Sequence, residues 1–274
     1  MESNNTIVWE NIKAYDPKII KERSNAISDC TRGALPLYGL CKRKIEDLAT
    51  KYDVPMYEIV SLYNNIKTQQ NIDYGKYNET NKNKIAKTFE SIIDEIDHND
   101  DPKINITKIR SFIKHIRSSF SFVYKIMVSS PKYNTIPDYC IEYIEKLRKV
   151  CKNSINDQRT NAELFEQKLV DYLKSLKVTD FRTEKEIRRD QDLTITPDIL
   201  FNEPIIIEIN GEKHKVKWID AKNSTLTDSP FILKSIYKQA DKYNKAFGSG
   251  AMVFHYGFDT SININTLVLD GSNI

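Results

Sequence analysis

Apolar residues in the first half of the chain recur every three or four positions, which is the spacing of one face of a helix. One such pattern runs from Ile45 to Tyr52 and resumes from Met56 to Tyr63, after a break at Asp53-Val54-Pro55. Helix, short turn and helix is the layout of a helix-turn-helix. We therefore predict one helix-turn-helix-like unit in this segment.

A second pair of helical patterns follows, from Ile106 to Ile116 and from Phe120 to Met127. The polar, Asn-rich stretch from Thr68 to Lys84 separates the two pairs and is predicted to be a loop. Residues 1–150 are accordingly predicted to be an all-helical region with two helix-turn-helix-like units. Each pair has two interpretations, namely DNA recognition with nearby lysines and arginines on phosphates, or plain packing of two helices. Packing alone is the commoner role of such a corner.

The pattern changes in the second half of the chain, where residues 151–274 are predicted to form an α/β domain with a mixed central sheet. Amphipathic spacing predicts two helices: Ala162–Leu176 and Phe231–Phe247. Runs of β-branched and aromatic residues predict three strands: Ile205–Ile209, Val216–Asp220 and Ala251–Tyr256. Together with the helical first half, this gives an α+β chain with an α/β second domain.

Composition narrows the class of protein without assigning a function. Of the 274 residues, 40% are hydrophobic and 29% charged, and no apolar run is long enough for a transmembrane helix, so we expect no membrane association. The start of the chain lacks the features of a secretory signal, and the four cysteines show no CxxC spacing. We therefore expect reduced thiols, no zinc, and a place in the nucleus or cytoplasm. The net charge of +3 permits nucleic-acid binding but does not argue for it.

Three residues of the second half suggest a reaction. Asp198 follows Thr196-Pro197, and Asp220 stands two positions before Lys222, so these last two side chains are predicted to share one face of a strand. Phosphodiester cleavage needs carboxylates to hold Mg²⁺ and a positive charge to stabilise the attacking hydroxide and the phosphate. The two aspartates and the lysine supply both. Considered singly, Asp198 could instead cap a turn, and Lys222 could be a solvent-exposed charge at a strand end.

A third carboxylate is predicted on the helix Ala162–Leu176. Glu166 has apolar neighbours at helical spacing, which are Ala162, Leu169, Val170 and Leu173. It is therefore expected on the stripe that faces the sheet, where an unpaired carboxylate is costly. Glu163 has mostly polar neighbours, so Glu166 is the better candidate for a metal ligand.

The hairpin between the two candidate strands decides whether the aspartates can meet. If Asn210-Gly211 were a two-residue turn with regular pairing, the two residue numbers of every cross-strand pair would sum to the same odd value. Cross-strand partners share a face, so Asp198 would then face away from Asp220. A common site requires an even total, which either a three-residue turn over Asn210 to Glu212 or a β-bulge near Pro204 would provide. We predict one or the other.

These residues and several around them resemble one family. A helix glutamate, Pro197-Asp198 and Asp220-Ala221-Lys222 are typical of PD-(D/E)xK nucleases. Further residues make the likeness more specific: Trp218-Ile219 before Asp220, Gln239 and Tyr243 in a Q-x-x-x-Y arrangement, and Phe247–Gly250 leading into Phe254–Phe258. With them, the segment from Leu164 to Phe258 resembles the TPD-motif family, which includes the codanin-interacting nuclease.

The resemblance implies a restriction-endonuclease-like PD-(D/E)xK domain and a metal-dependent nuclease that hydrolyses phosphodiester bonds in DNA, including branched or structured DNA. By this likeness, Glu166, Asp198 and Asp220 would hold Mg²⁺ or Mn²⁺, and Lys222 would complete the catalytic set. Gln239 and Tyr243 would be expected either to orient the lysine or to hold a phosphate of the nucleic acid, and Tyr243 could equally be a core residue.

Two other functions compete with catalysis. The first is an adaptor that keeps the nuclease fold and acts by binding a codanin-like protein partner, which the family resemblance suggests. The second is a transcription regulator built on the helical half, which would bind duplex DNA through residues 1–150.

Overall fold

The computed structural model describes residues 6–31, 37, 39–190 and 193–274. By contacts, the chain divides into a helical unit, residues 24–158, and a mixed unit, residues 1–23 together with 159–274. The described helices and strands are, in chain order, β1 (Thr6–Val8), β2 (Ala14–Tyr15), α1 (Pro17–Cys30), α2 (Leu40–Lys51), α3 (Met56–Thr80), α4 (Lys82–Asp94), α5 (Pro102–His115), α6 (Phe120–Ser129), α7 (Asp138–Ser175), β3 (Phe181–Thr183), α8 (Glu184–Asp190), β4 (Ile199–Ile209), β5 (Glu212–Lys222), α9 (Pro230–Phe247), β6 (Ala251–Phe254), β7 (Phe258–Asp259) and β8 (Leu267–Asp270). This division differs from the predicted boundary at residue 150, because the first 23 residues join the second half of the chain.

Both predicted helix pairs are present in the helical unit, as α2 with α3 and α5 with α6. Local chemistry sets their ends. Asp53 takes a φ of 50° in the turn between α2 and α3, a conformation that aspartate tolerates better than most residues. Asp101 caps α5 by accepting a hydrogen bond from the Lys103 N–H, and Ser119 caps α6 through the Phe122 N–H.

The predicted loop from Thr68 to Lys84 is wrong. α3 continues to Thr80, and α4 begins at Lys82 after the single residue Asn81. The stretch contains no proline, and its polar residues are compatible with a helix that has water on most of its sides. A tertiary contact also holds it, because the buried Asn78 donates its side-chain N–H to the backbone carbonyl of Arg117.

The core of the helical unit is formed by side chains from α4, α5, α6 and the first part of α7. Its fully or nearly fully buried members include Phe89, Ile109, Phe112, Ile113, Val123, Met127, Cys140 and Ile144. α7 is one continuous helix of 38 residues, and it contains the predicted helix Ala162–Leu176 except for Leu176. None of the helices in the described parts of the chain combines the length and the apolar character that crossing a membrane requires.

The mixed unit is built on a mixed sheet, as predicted, with the strand order β1-β4-β5-β6-β8 and with β3 also paired to β4. β4 and β5 are antiparallel, whereas β1 with β4, β5 with β6 and β6 with β8 are parallel. One face of the sheet packs on Phe165, Leu169 and Leu173 of α7. The other face packs on α9, through Ile236 and Ala240. The predicted helix Phe231–Phe247 and the predicted strands correspond to α9, β4, β5 and β6.

The β4–β5 hairpin has a two-residue turn and a bulge. Asn210 and Gly211 both have positive φ, 51° and 84°, which identifies a type I′ turn. Next to the turn, Ile209 pairs with Glu212, but the register shifts between Leu200 and Ile205. Of the two predicted alternatives, the bulge near Pro204 is therefore confirmed and the three-residue turn is wrong. The bulge makes the total of paired residue numbers even at the far end of the hairpin.

Candidate active site

The two aspartates stand opposite each other on neighbouring strands. Beyond the bulge, Leu200 pairs with Trp218, and the same register places Asp198, just before β4, across from Asp220. The Asp198 Oδ2 accepts a hydrogen bond of 2.6 Å from the backbone N–H of Ala221. Asp220 is only 2% exposed. The sheet thus brings both acids to the face that packs on α9.

Lys222 lies on the same face as Asp220, as its position two residues along the strand predicted. Its Nζ forms an ion pair with Asp220 Oδ2 and donates a hydrogen bond of 2.8 Å to Gln239 Oε1. The Asp220 Oδ2 is buried and has no hydrogen bond of regular geometry. Lys222 is therefore held between the Asp220 carboxylate and the Gln239 amide oxygen.

Gln239 and Tyr243 of α9 form an internal network with these residues. The Gln239 Nε2 donates to Asp220 Oδ1 and to Tyr243 Oη, both at 3.0 Å. The Tyr243 Oη in turn donates to the Thr196 carbonyl at 3.1 Å. Both amide hydrogens and the amide oxygen of Gln239 are thus engaged. This geometry favours the role of orienting the lysine over that of holding a phosphate. Tyr243 also packs edge-to-face on the Trp218 ring.

Glu166 is associated less closely with the site than Asp198, Asp220 and Lys222 are. It lies on α7, which packs on the opposite face of the sheet from α9, and its side chain is half-buried. Burial raises the pKa of Glu166, and the charges of Glu184 and Asp220 raise it further. Within the described residues, no three His, Cys, Asp or Glu side chains come together closely enough to form a metal-binding group. The structure thus joins Asp198, Asp220 and Lys222, with Glu166 in their electrostatic field.

Glu184 is a further acid of the site that the sequence analysis missed. It is the first residue of α8, and its backbone N–H donates to the Asp198 carbonyl at 3.0 Å. Its carboxylate accepts hydrogen bonds from Thr196 Oγ1 and from Arg188. The charge of Glu184 raises the pKa of both Glu166 and Asp220. No motif marks this glutamate, because its position depends on how α8 folds back beside the end of β4.

The negative charge of the acids in the site is not fully balanced by nearby positive charge. Burial raises the pKa of Asp198, and the charge of Asp220 raises it further. Burial likewise raises the pKa of Asp220, although Lys222 acts in the opposite direction. A divalent cation would relieve this repulsion. Carboxylate oxygens suit Mg²⁺ and Mn²⁺, and Mg²⁺ commonly uses one or two carboxylates together with water and substrate phosphate. The pair Asp198 and Asp220 fits such an ion.

Comparison with known proteins gives two matches of different extent. Residues 138–271 match the family model described as a protein of unknown function with the TPD sequence motif. An uncharacterized protein of Acanthamoeba polyphaga mimivirus is 38% identical over 269 residues, which cover 98% of this chain and 96% of the viral protein. No solved structure matches the chain.

Proposed function

The chain belongs to the TPD sequence-motif family, and on that premise we propose that its mixed unit is a metal-dependent nuclease of the PD-(D/E)xK type. Its substrate is DNA, including branched or structured DNA, and its reaction is hydrolysis of the phosphodiester bond. This activity accords with the expected place of the protein in the nucleus or cytoplasm.

The observation that carries the proposal is the meeting of Asp198, Asp220 and Lys222 on one face of the sheet. The meeting depends on the bulge between Leu200 and Ile205, since a regular hairpin would turn Asp198 to the other face. Buried acids with raised pKa values beside a fixed cation cost folding free energy and are typical of functional sites. A purely structural role for these acids would not offset that loss of folding free energy.

Each residue has a role in the proposed reaction. Asp198 and Asp220 would hold Mg²⁺ or Mn²⁺, which would polarise the phosphate and lower the pKa of a coordinated water, and Glu166 would add its negative charge nearby. The Lys222 ammonium would stabilise the attacking oxygen and the negative charge that develops on the phosphate. Gln239 keeps that ammonium beside Asp220 by accepting its hydrogen bond. Tyr243 in turn anchors the Gln239 amide.

Cleavage of DNA by the purified full chain tests the proposal. We expect plasmid and branched oligonucleotides to be cut with Mg²⁺ or Mn²⁺ and not with EDTA. Asp220→Asn keeps the shape of the side chain but removes its charge, so we expect its rate to fall by at least about 10²-fold. Asp228→Asn, an identical change at an exposed position, is the matched control and should cut at the wild-type rate.

Two results would decide against this function. Equal cutting by wild type and Asp220→Asn would show that the activity belongs to another site or to a contaminant. Absence of cutting on every substrate with either metal would favour the adaptor function, in which the mixed unit binds a codanin-like protein partner.

A further inference from the structure

The helical unit contains a groove of 1210 Å³ between α3, α4 and α5. Its floor is formed by apolar side chains that are already buried, since Ile85, Phe112 and Ile116 are 7%, 3% and 9% exposed. Its walls carry mainly polar and charged side chains. The accessible lining of the groove therefore combines apolar surface with these polar and charged groups.

The walls carry an excess of positive charge. Among the described residues that line the groove, four are lysine or arginine, and Glu95 is the single acid. Lys108 is engaged locally, because its Nζ donates to the Glu95 carbonyl at 2.6 Å and lies 3.5 Å from Asp100. Lys84 and Lys114 are exposed and have no acidic partner among the described residues. The groove thus offers unpaired ammonium groups to an anionic ligand.

The remaining cation, Arg117, is held in a fixed position. Its Nη1 donates to Tyr74 Oη at 2.7 Å, and its guanidinium lies 5.4 Å from the centre of the Tyr74 ring. Its backbone carbonyl accepts a hydrogen bond from the buried Asn78. The rest of the guanidinium fork is free to bind a phosphate, and little side-chain entropy would be lost on binding.

An exposed aromatic ring lies in the same groove. Tyr77 of α3 is 61% exposed, although it is a large hydrophobic side chain. Cations along a groove together with an exposed aromatic ring are the features by which proteins bind single-stranded nucleic acid, with phosphates on the cations and bases stacked on the ring.

We infer that this groove binds a single strand of nucleic acid, with phosphates on Lys84, Lys114 and Arg117 and a base stacked on Tyr77. The inference goes beyond the proposed nuclease activity, because it requires none of the carboxylates. It also differs from recognition by a helix-turn-helix. The second helix of the second pair, α6, uses its apolar side chains in the core and carries Lys125 as its single cation.

Binding of a fluorescein-labelled 20-nucleotide DNA strand to the full chain tests the inference. Anisotropy is measured in EDTA over a series of KCl concentrations, so that the result does not depend on metal at the carboxylates. The variant is Lys84→Glu with Lys114→Glu. The matched control is Lys87→Glu with Lys103→Glu, which reverses two exposed charges on the same helices outside the groove.

We expect the groove variant to bind the strand at least tenfold more weakly than the control variant. Loss of two phosphate contacts should also reduce the slope of log Kd against log salt by roughly 1.4, given about 0.7 per contact with a single strand. Tyr77→Ala should weaken binding of the single strand and leave binding of the corresponding duplex unchanged. Thermal melting by circular dichroism checks folding, and Lys84→Gln with Lys114→Gln replaces the charge reversal if the latter unfolds.

Three outcomes would overturn the inference. If the groove and control variants weaken binding of the strand equally, the effect comes from the net charge of the protein and not from the groove. Equal affinity for duplex and single strand, with no effect of Tyr77→Ala, would show that no base stacks on Tyr77. Displacement of the strand by polyglutamate at the same concentration of charge would identify the groove as a site for acidic peptides.

Discussion

The site of the mixed unit and the groove of the helical unit differ in how the fold presents their charged groups. In the mixed unit, the acids lie within the sheet, with Asp220 only 2% exposed, and their meeting depends on the register of one hairpin. In the groove, Lys84 and Lys114 are exposed side chains on helices. The first arrangement depends on the backbone, whereas the second depends on which residues occupy the surface.

This difference predicts which property a substitution should change. Around the buried acids, packing holds the reacting groups in place, so a change there should affect both the free energy of unfolding and the cleavage rate. On the groove, exposed cations contribute little to folding, and a change there should affect binding alone. The predictions below test this contrast, beginning with the largest expected effect.

Gly250→Ala should destabilise the mixed unit strongly. A Cβ at this position would lie 2.1 Å from Cε2 of Trp218, a fully buried ring whose Nε1 donates to the Gly248 carbonyl. Trp218 lies two residues before Asp220 on β5, so a shift of its backbone would also displace Asp220. We expect a loss of about 3 kcal/mol in the free energy of unfolding, together with loss of cleavage. Urea unfolding followed by tryptophan fluorescence measures it, since both tryptophans, Trp9 and Trp218, lie in the mixed unit.

A glycine-to-alanine substitution in the helical unit should instead raise the free energy of unfolding. Gly75 lies inside α3, and a Cβ there would meet no atom within 4 Å beyond the adjacent residues and the backbone of its own helix. Gly75→Ala should therefore raise the stability of the helical unit by about 0.5–1 kcal/mol, through better helix propensity. Far-ultraviolet circular dichroism measures the change, since the helical unit contains most of the helical residues among those described. Equal destabilisation by both substitutions would contradict the contrast between tight and tolerant packing.

Gln239→Ala should lower the cleavage rate without weakening binding of DNA. The substitution removes the acceptor that holds Lys222 and the donor to Asp220, but on our assignment Gln239 does not touch the substrate. We expect kcat to fall by about 10²-fold with KM nearly unchanged. Ser235→Ala, at an exposed position on the same helix, is the control. A raised KM with unchanged kcat would instead show that Gln239 holds a phosphate of the nucleic acid.

The features of the candidate site that the sequence predicted follow local rules. Asn210-Gly211 indicates the turn, Pro204 cannot donate to the strand ladder, and the spacing of Asp220 and Lys222 places both on one face. For the acids to meet, these rules left two alternatives, a three-residue turn or a bulge near Pro204, and the structure contains the bulge. The position of Glu184 follows no such rule, because it depends on hydrogen bonds to residues 12 and 14 positions further along the chain.

Long-range contacts explain what the sequence did not predict in the fold. The stretch from Thr68 to Lys84 has no apolar stripe, yet it is helical, and Asn78 contacts a carbonyl 39 positions away. β1 is only three residues long and pairs Ile7 with Ile207. So short a segment carries no readable alternation, and its pairing partner lies in the other half of the chain.

A further expected effect is a loss of stability in acid that depends on His255. Its ring stacks on Phe165 at 4.1 Å and hydrogen-bonds to Asn223 Oδ1. Burial lowers the pKa of His255 to about 4, from 6.5 in the unfolded chain. The unfolded state therefore binds the proton first, and the stabilisation present above pH 6.5 is lost as the pH falls toward 4. Because the ring is partly exposed, we expect a loss of at most about 2 kcal/mol.

His255→Phe, which keeps a stacked ring, should flatten this dependence of stability on pH, as measured by urea unfolding followed by tryptophan fluorescence. The exposed His98→Asn should retain it, and an unchanged slope in His255→Phe would assign the acid sensitivity to other groups.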